Sequence, residues 1–422
     1  MIEYKKFILK NGLTLLVHRD SSSPIAVVNM LYKVGARDEN PEKTGFAHLF
    51  EHLMFSGSKN VKSFDGELQI AGGENNAFTC NDYTNYYITL PKENIETALW
   101  IESDRMLYPN ITQQNIDTQR NVVIEEFNQR YLNQPYGDVW LLLRPLAYKV
   151  HPYRWATIGK SIEHIKNAKL DDVEHFFDLH YSPNNAIISI VADIEHEKIY
   201  ELVEKWFGEI PYRTNVRRRL PAEPQQTELR TLTVERNVPL TCLYKAYKIC
   251  NRQNPDYYVY DLLTDILSSG KSSRLYQNLI KNTKLFAGVN AFISGDIDEG
   301  LLIVSARLLP DVDIKQAEAA INNEIEKMRT TKAFEYELEK VKNKVEASQI
   351  YSETSILNKA MMLGYYEMLG NIDLINDELK YYRAITAADI MRVSENVFAN
   401  ERCSTLYYKS TQQNSFTMQI NE

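Results

Sequence analysis

The chain has 422 residues, 44% hydrophobic and 25% charged, so it has the make-up of an ordinary globular protein and too much length for one core; two domains of about 200 residues each are expected. A formal net charge of −8 argues against a nucleic-acid role, because phosphate binding needs a basic surface. No stretch supplies the roughly 18 uncharged apolar residues of a membrane-spanning helix, and four cysteines without CxxC pairing suit free thiols in a reducing compartment better than a disulfide scaffold.

The N-terminus, MIEYKKFILKNGLTLLVHRD, breaks its apolar residues with charges and with Gly12. It reads as a first β-strand and lacks the apolar region of a signal peptide, which gives a cytoplasmic expectation unless a leader has been removed. Residues 26–34 (AVVNMLYKV) have the pattern of a buried strand, and GFAHLFEHLMF after them is helical in spacing. TQQNIDTQRNVVIEEFNQRY predicts a helix whose buried stripe is Ile116, Val123 and Phe127. DDVEHFFDLHYSPNNAIISIVA follows as helix, turn and strand.

GEIPYRTNVRRRLPAEPQQTELR has linker composition, with the basic run Arg217–Arg219 as a solvated part of it. The expected division is therefore a first domain over 1–212, a linker over 213–229 and a second domain over 230–422. In the second half TCLYKAYKI precedes YVYDLLTDILSSG, the same order of strand and helix ending near glycine, and ADIMRVSENVFANERCSTLYY repeats the closing helix, turn and strand. Setting Gly57 against Gly270 places His48 against Asp261, Glu51 against Thr264 and His52 against Asp265. The fold class expected is α+β, with two homologous domains, each a mostly antiparallel sheet packed with helices, and a metal site in the first domain alone.

GFAHLFEHLMF is apolar or small at positions 46, 47, 49, 50, 53, 54 and 55, so its helix should be buried over most of its circumference. His48 and His52, four residues apart, share one face with Glu51 beside them. Polar groups left unpaired in such surroundings would each cost roughly 1–3 kcal/mol, and a metal ion would satisfy both imidazoles at once. The spacing suits one tetrahedral Zn²⁺ per chain, with Glu51 near a bound water as general base; HxxEH inverts the HExxH order of the zincins. A third ligand is expected from Glu125 or Glu126. Glu126 is preferred, because it lies on the side of Val123 and Phe127, whereas Glu125 shares a polar face with Thr118, Asn121 and Gln129.

With HLFEH (48–52), NAFTCNDYTNYY (76–87), QRNVVIEEF (119–127) and YSPNNAIISIVAD (181–193), the chain resembles, over nearly its whole length, the pitrilysin family of zinc peptidases. These inverzincins include insulin-degrading enzyme and mitochondrial processing peptidase. The resemblance implies zinc on His48, His52 and Glu126, water activation by Glu51, and an edge strand at Asn76, Ala77 and Phe78 that takes up the substrate backbone.

Two departures stand out. Gln119 occupies the place of a second glutamate found in many relatives, which leaves it a hydrogen-bonding role beside the metal site. Ile280 and Ala287 stand where the family places a substrate-binding arginine and tyrosine. The resemblance therefore implies a heterodimer, in which a homologous partner without zinc supplies the Arg and Tyr and the pair hydrolyses short or unfolded peptides. The competing expectation is a non-catalytic assembly subunit of the same fold, against which the intact HxxEH argues.

Overall fold

In the computed structural model, which describes residues 1–213 and 219–412, the first twenty residues form a hairpin where a single strand was expected. β1 (Lys5–Ile8) and β2 (Thr14–Arg19) pair antiparallel. Between them Gly12 holds a φ of 86°, and a Cβ there would lie 2.8 Å from Asn184 Cβ, so glycine is what lets the chain reverse.

β3 (Ile25–Tyr32), β4 (Glu74–Thr79), β5 (Thr84–Pro91) and β6 (Ala186–Ala192) complete a sheet of order β1-β2-β6-β3-β5-β4. A second sheet is built from β7 (Arg230–Arg236), β8 (Cys242–Lys248), β9 (Phe286–Ile293), β10 (Leu301–Leu308) and β11 (Cys403–Ser410), in the order β7-β11-β8-β10-β9. Each sheet has one parallel pair, β2 with β6 and β7 with β11, and is otherwise antiparallel. With β1 set aside, the two agree strand for strand in order and direction. The edge strands β4 and β9 even share a tripeptide, Asn76-Ala77-Phe78 and Asn290-Ala291-Phe292.

The helices that matter below are α1 (Phe46–Leu53), α2 (Gln113–Phe127), α3 (Val139–Ala147), α4 (Asp256–Ser268), α5 (Glu335–Ser352) and α6 (Ile356–Leu369). β6 is buried at every residue, which requires cover on both faces of the first sheet. One cover is α6, which lies across β3 and β6 although it comes from late in the sequence. The join is polar at its centre: Asn85 donates to Asn29 (2.7 Å), Asn29 to Ser189 (3.1 Å), and Ser189 to the carbonyl of Ala360 (2.6 Å). Gly364 lets the helix come this close, since a Cβ there would sit 3.3 Å from both Asn29 Nδ2 and Ser189 Oγ. On the second sheet, α3 packs against β7, β8 and β11.

The compact units therefore interleave. One comprises Met1–Gln129, His151–Pro221 and Ser348–Glu378; the other comprises Arg130–Val150, Ala222–Ala347 and Leu379–Glu422. A cut at the linker does not separate them, because each sheet takes a covering helix from the other half of the chain. Of the expected linker, residues 214–218 lie outside the described residues, including Arg217 and Arg218. Among the described residues no helix is long and apolar enough to cross a membrane.

Candidate metal centre

α1 starts at Gly45, whose φ of 90° is left-handed and whose Cβ, if present, would meet Ile158 O and Ile165 Cδ1 at 2.7 Å each. The first helical amides have no partner within the helix. Here the Glu39 carboxylate supplies one, accepting from Gly45 N–H and Ala47 N–H at 2.9 Å each. Glu39 is only 1% exposed, and burial pushes its carboxyl up to about 8 against the opposing pull of those two amides. Phe46, Ala47, Leu49, Phe50 and Leu53 are buried, with Phe50 packed on Phe176 (4.9 Å) and Tyr181 (5.1 Å). That packing fixes the helix about its axis and turns His48, Glu51 and His52 to the remaining side.

α2 buries Ile116, Val123 and Phe127, as its periodicity predicts, and this stripe carries Glu126 toward α1 while Glu125 is exposed. Glu126 Oε2 lies 3.6 Å from His48 Nε2 and 3.4 Å from His52 Nε2. The imidazole rings stand 4.8 Å apart at 86°. All three side chains are half-buried and offer ligand atoms within 4.8 Å of one another. Zinc–ligand bonds of about 2.0–2.2 Å in a tetrahedral array hold neighbouring donors roughly 3.3–3.6 Å apart. The separations from the carboxylate oxygen have that size, so the donor set fits zinc.

Glu51 stands beside this trio, and its Oε2 accepts a hydrogen bond from Thr79 Oγ1 at 2.6 Å. Burial raises the Glu51 carboxyl above the usual range, an effect that the Thr79 hydroxyl and His52 oppose and that Glu126 reinforces. Thr79 is the last residue of β4, which among the described residues pairs with β5 alone and so presents one edge without a strand. Asn76, exposed, and Ala77 and Phe78, half-buried, lie on this strand just before it. Asn76 Oδ1 accepts from Ala77 N–H at 2.8 Å, and Phe78 packs edge-on against Tyr83. Gln119 of α2 donates to Ser56 Oγ at 3.4 Å, joining α2 to the segment just beyond α1.

Two residues of this site escape sequence reasoning. Thr79 sits inside a run singled out for its edge strand, but the pattern along that strand does not mark which hydroxyl meets α1. Glu39 precedes the helix in a loop, and no periodic signal marks it.

In the second unit, Lys344 of α5 reaches the Asp265 carboxylate of α4 at 3.0 and 3.2 Å and Ser269 Oγ at 2.6 Å, while Tyr382 donates to Asp261 at 2.7 Å. Ile280 is partly buried against that unit's core, and Ala287 is exposed on β9.

Two family models match the chain: Insulinase (Peptidase family M16) over residues 14–142, and Peptidase M16 inactive domain over residues 167–345. The first span takes in α1, β4 and α2; the second takes in α4. Zinc protease PqqE of Helicobacter pylori is 29% identical, over 96% of this chain and 93% of its own. The crystal structure of a protease from Helicobacter pylori superposes with a TM-score of 0.90 at 28% identity, covering 97% of this chain and 100% of the other. The mitochondrial-processing peptidase subunit beta of Saccharomyces cerevisiae is 28% identical over 60% of this chain and 55% of its own.

Proposed function

This chain belongs to peptidase family M16, and from that premise we propose that it is the zinc-bearing subunit of an endopeptidase acting on short or unfolded peptides. The observation that carries the reading is the convergence of His48 Nε2, His52 Nε2 and a Glu126 oxygen on one point, with a fourth polar group, Glu51, held beside it. His48, His52 and Glu126 would hold the zinc, which would supply Lewis acidity toward a water and a peptide carbonyl. Glu51 takes the proton from the attacking water and hands it to the leaving amine. The open edge of β4 binds the peptide by strand addition, reading backbone shape with weak demands on side chains.

A homologous partner without zinc completes the enzyme. This rests on Ile280 and Ala287, which cannot make the contacts of an arginine and a tyrosine, and on the yeast relative being named as one subunit, beta.

The test pairs metal analysis with cleavage of a quenched fluorescent peptide library, comparing the native chain with Glu51→Gln, each alone and with the candidate partner. Both chains should hold about one zinc, and only the native one should cleave, with kcat falling roughly 10²- to 10⁴-fold in the variant. Equal cleavage by the two, or a native chain free of zinc, sinks the reading.

A further inference from the structure

We infer that Thr79 is a positioning residue for Glu51, holding the base in register with the strand edge along which a peptide lies. The inference rests on the peptidase reading above.

The hydroxyl of Thr79 has a single proton to give. Its neighbour Thr84, fully buried, commits its own proton to the carbonyl of Val34 at 2.9 Å and stands 3.5 Å from Thr79 Oγ1, outside the usual range for hydroxyl pairs. The Thr79 proton is therefore directed at Glu51 Oε2, at 2.6 Å. A glutamate on a helix surface can otherwise sample several rotamers, most of which take its carboxylate away from a water beside His48 and His52. With one oxygen held, the other is left to accept the proton.

The second half of the argument is where the tether comes from. Thr79 belongs to β4 itself, so the base is fastened to the docking strand and not to its own helix alone. Strand geometry advances about 3.3 Å per residue, so Asn76, Ala77 and Phe78 lie at set distances from the hydroxyl that orients Glu51. A peptide aligned on the edge is thereby aligned with the base, which is the condition for a near-attack geometry.

Thr79→Val keeps the side chain's shape and removes the donor. It should lower kcat roughly ten- to a hundredfold, the loss of one hydrogen bond to a charged group, and leave KM and zinc content within about twofold. Thr79→Ser, which returns the hydroxyl, should restore most of the lost kcat. A readout independent of turnover comes from inactive chains: Glu51→Gln and Glu51→Gln/Thr79→Val should bind a labelled peptide equally in fluorescence anisotropy. An unchanged kcat in Thr79→Val, equal impairment of the Val and Ser variants, or loss of peptide affinity or zinc alongside kcat overturns the inference and leaves the peptidase reading standing. Should Glu51→Gln cleave normally, the peptidase reading falls and takes this inference with it.

Discussion

The helix after the third strand of the first sheet carries His48, Glu51 and His52; the helix in the same place of the second unit carries Asp261, Thr264 and Asp265. In both, a later helix reaches across to bridge the end of the first. α2 brings a carboxylate, Glu126, to two half-buried imidazoles, whereas α5 brings an ammonium, Lys344, to a carboxylate. The second bridge is a complete interaction: the positive charge is part of the chain, and its side chains are 53% and 22% exposed, where an ion pair adds about 0–1 kcal/mol. The first gathers three groups with no positive charge built into the chain among them unless an imidazole takes up a proton, and it is the arrangement that gains most from a cation. The helix starts differ in the same sense. α4 begins under an ordinary carboxamide, Asn254 Oδ1 accepting from Asp256 N–H at 2.9 Å, while α1 begins under a buried carboxyl. One scaffold thus holds a bridge closed by an ion pair and another that gathers three donor atoms at separations a metal ion would accept.

The largest expected effect comes from moving the second unit's residue into the first. His52→Asp supplies an oxygen, but on a side chain too short to reach the place of Nε2. Losing a group that only supports a ligand typically costs 10–100-fold in metal affinity, so losing a ligand itself should cost roughly a hundredfold or more. Equilibrium dialysis against zinc measures it, and undiminished affinity would remove His52 from the ligand set.

A smaller effect separates the two helix starts. The Glu39 carboxyl is raised from 4.5 to about 8 in the folded chain. Its contribution to stability is therefore fully present below the unfolded value and is lost as pH rises through about 8, at a slope of at most about 1.4 kcal/mol per pH unit. Hydrogen exchange at the first turn of α1 should accelerate over that window beyond the intrinsic rate, while the first turn of α4, capped by an amide, should not. Glu39→Gln should flatten the dependence at α1; an unaltered pH profile in that variant would assign the dependence to another group.

The smallest effect is Lys344→Ala, which should change thermal stability by less than about 1 kcal/mol and leave zinc content and cleavage as they were. A larger loss would mean that the second bridge carries structural weight comparable to the first.

Much of the centre was legible in the sequence because it obeys helical spacing. His48 and His52 fall four apart in an apolar run, and Glu126 rides on the stripe of Val123 and Phe127, which separates it from Glu125. The edge position of β4 came only from the resemblance, since alternation within a strand says nothing of whether its outer side is paired. Glu39 and Thr79 were not legible as functional, because a cap from a loop and a tether across two elements are set by tertiary approach. The duplication was visible in the paired helices and closing strands. What periodicity could not show was that α3 and α6 each cover a sheet built by the other half, for an apolar helix face does not name its partner.

That exchange has a consequence for how the molecule is made. Chains emerge from the ribosome at roughly 5–20 residues per second, and domains tend to fold as they appear. The first sheet has all its strands once β6 is synthesised, yet the helix that takes the Ser189 hydrogen bond begins only at Ile356. For an interval on the order of ten seconds the nascent sheet has an uncovered apolar face with Asn29, Asn85 and Ser189 at its centre. Those three polar side chains, water-compatible until α6 arrives, give the waiting face a wetted middle and make it a poorer template for association with other nascent chains.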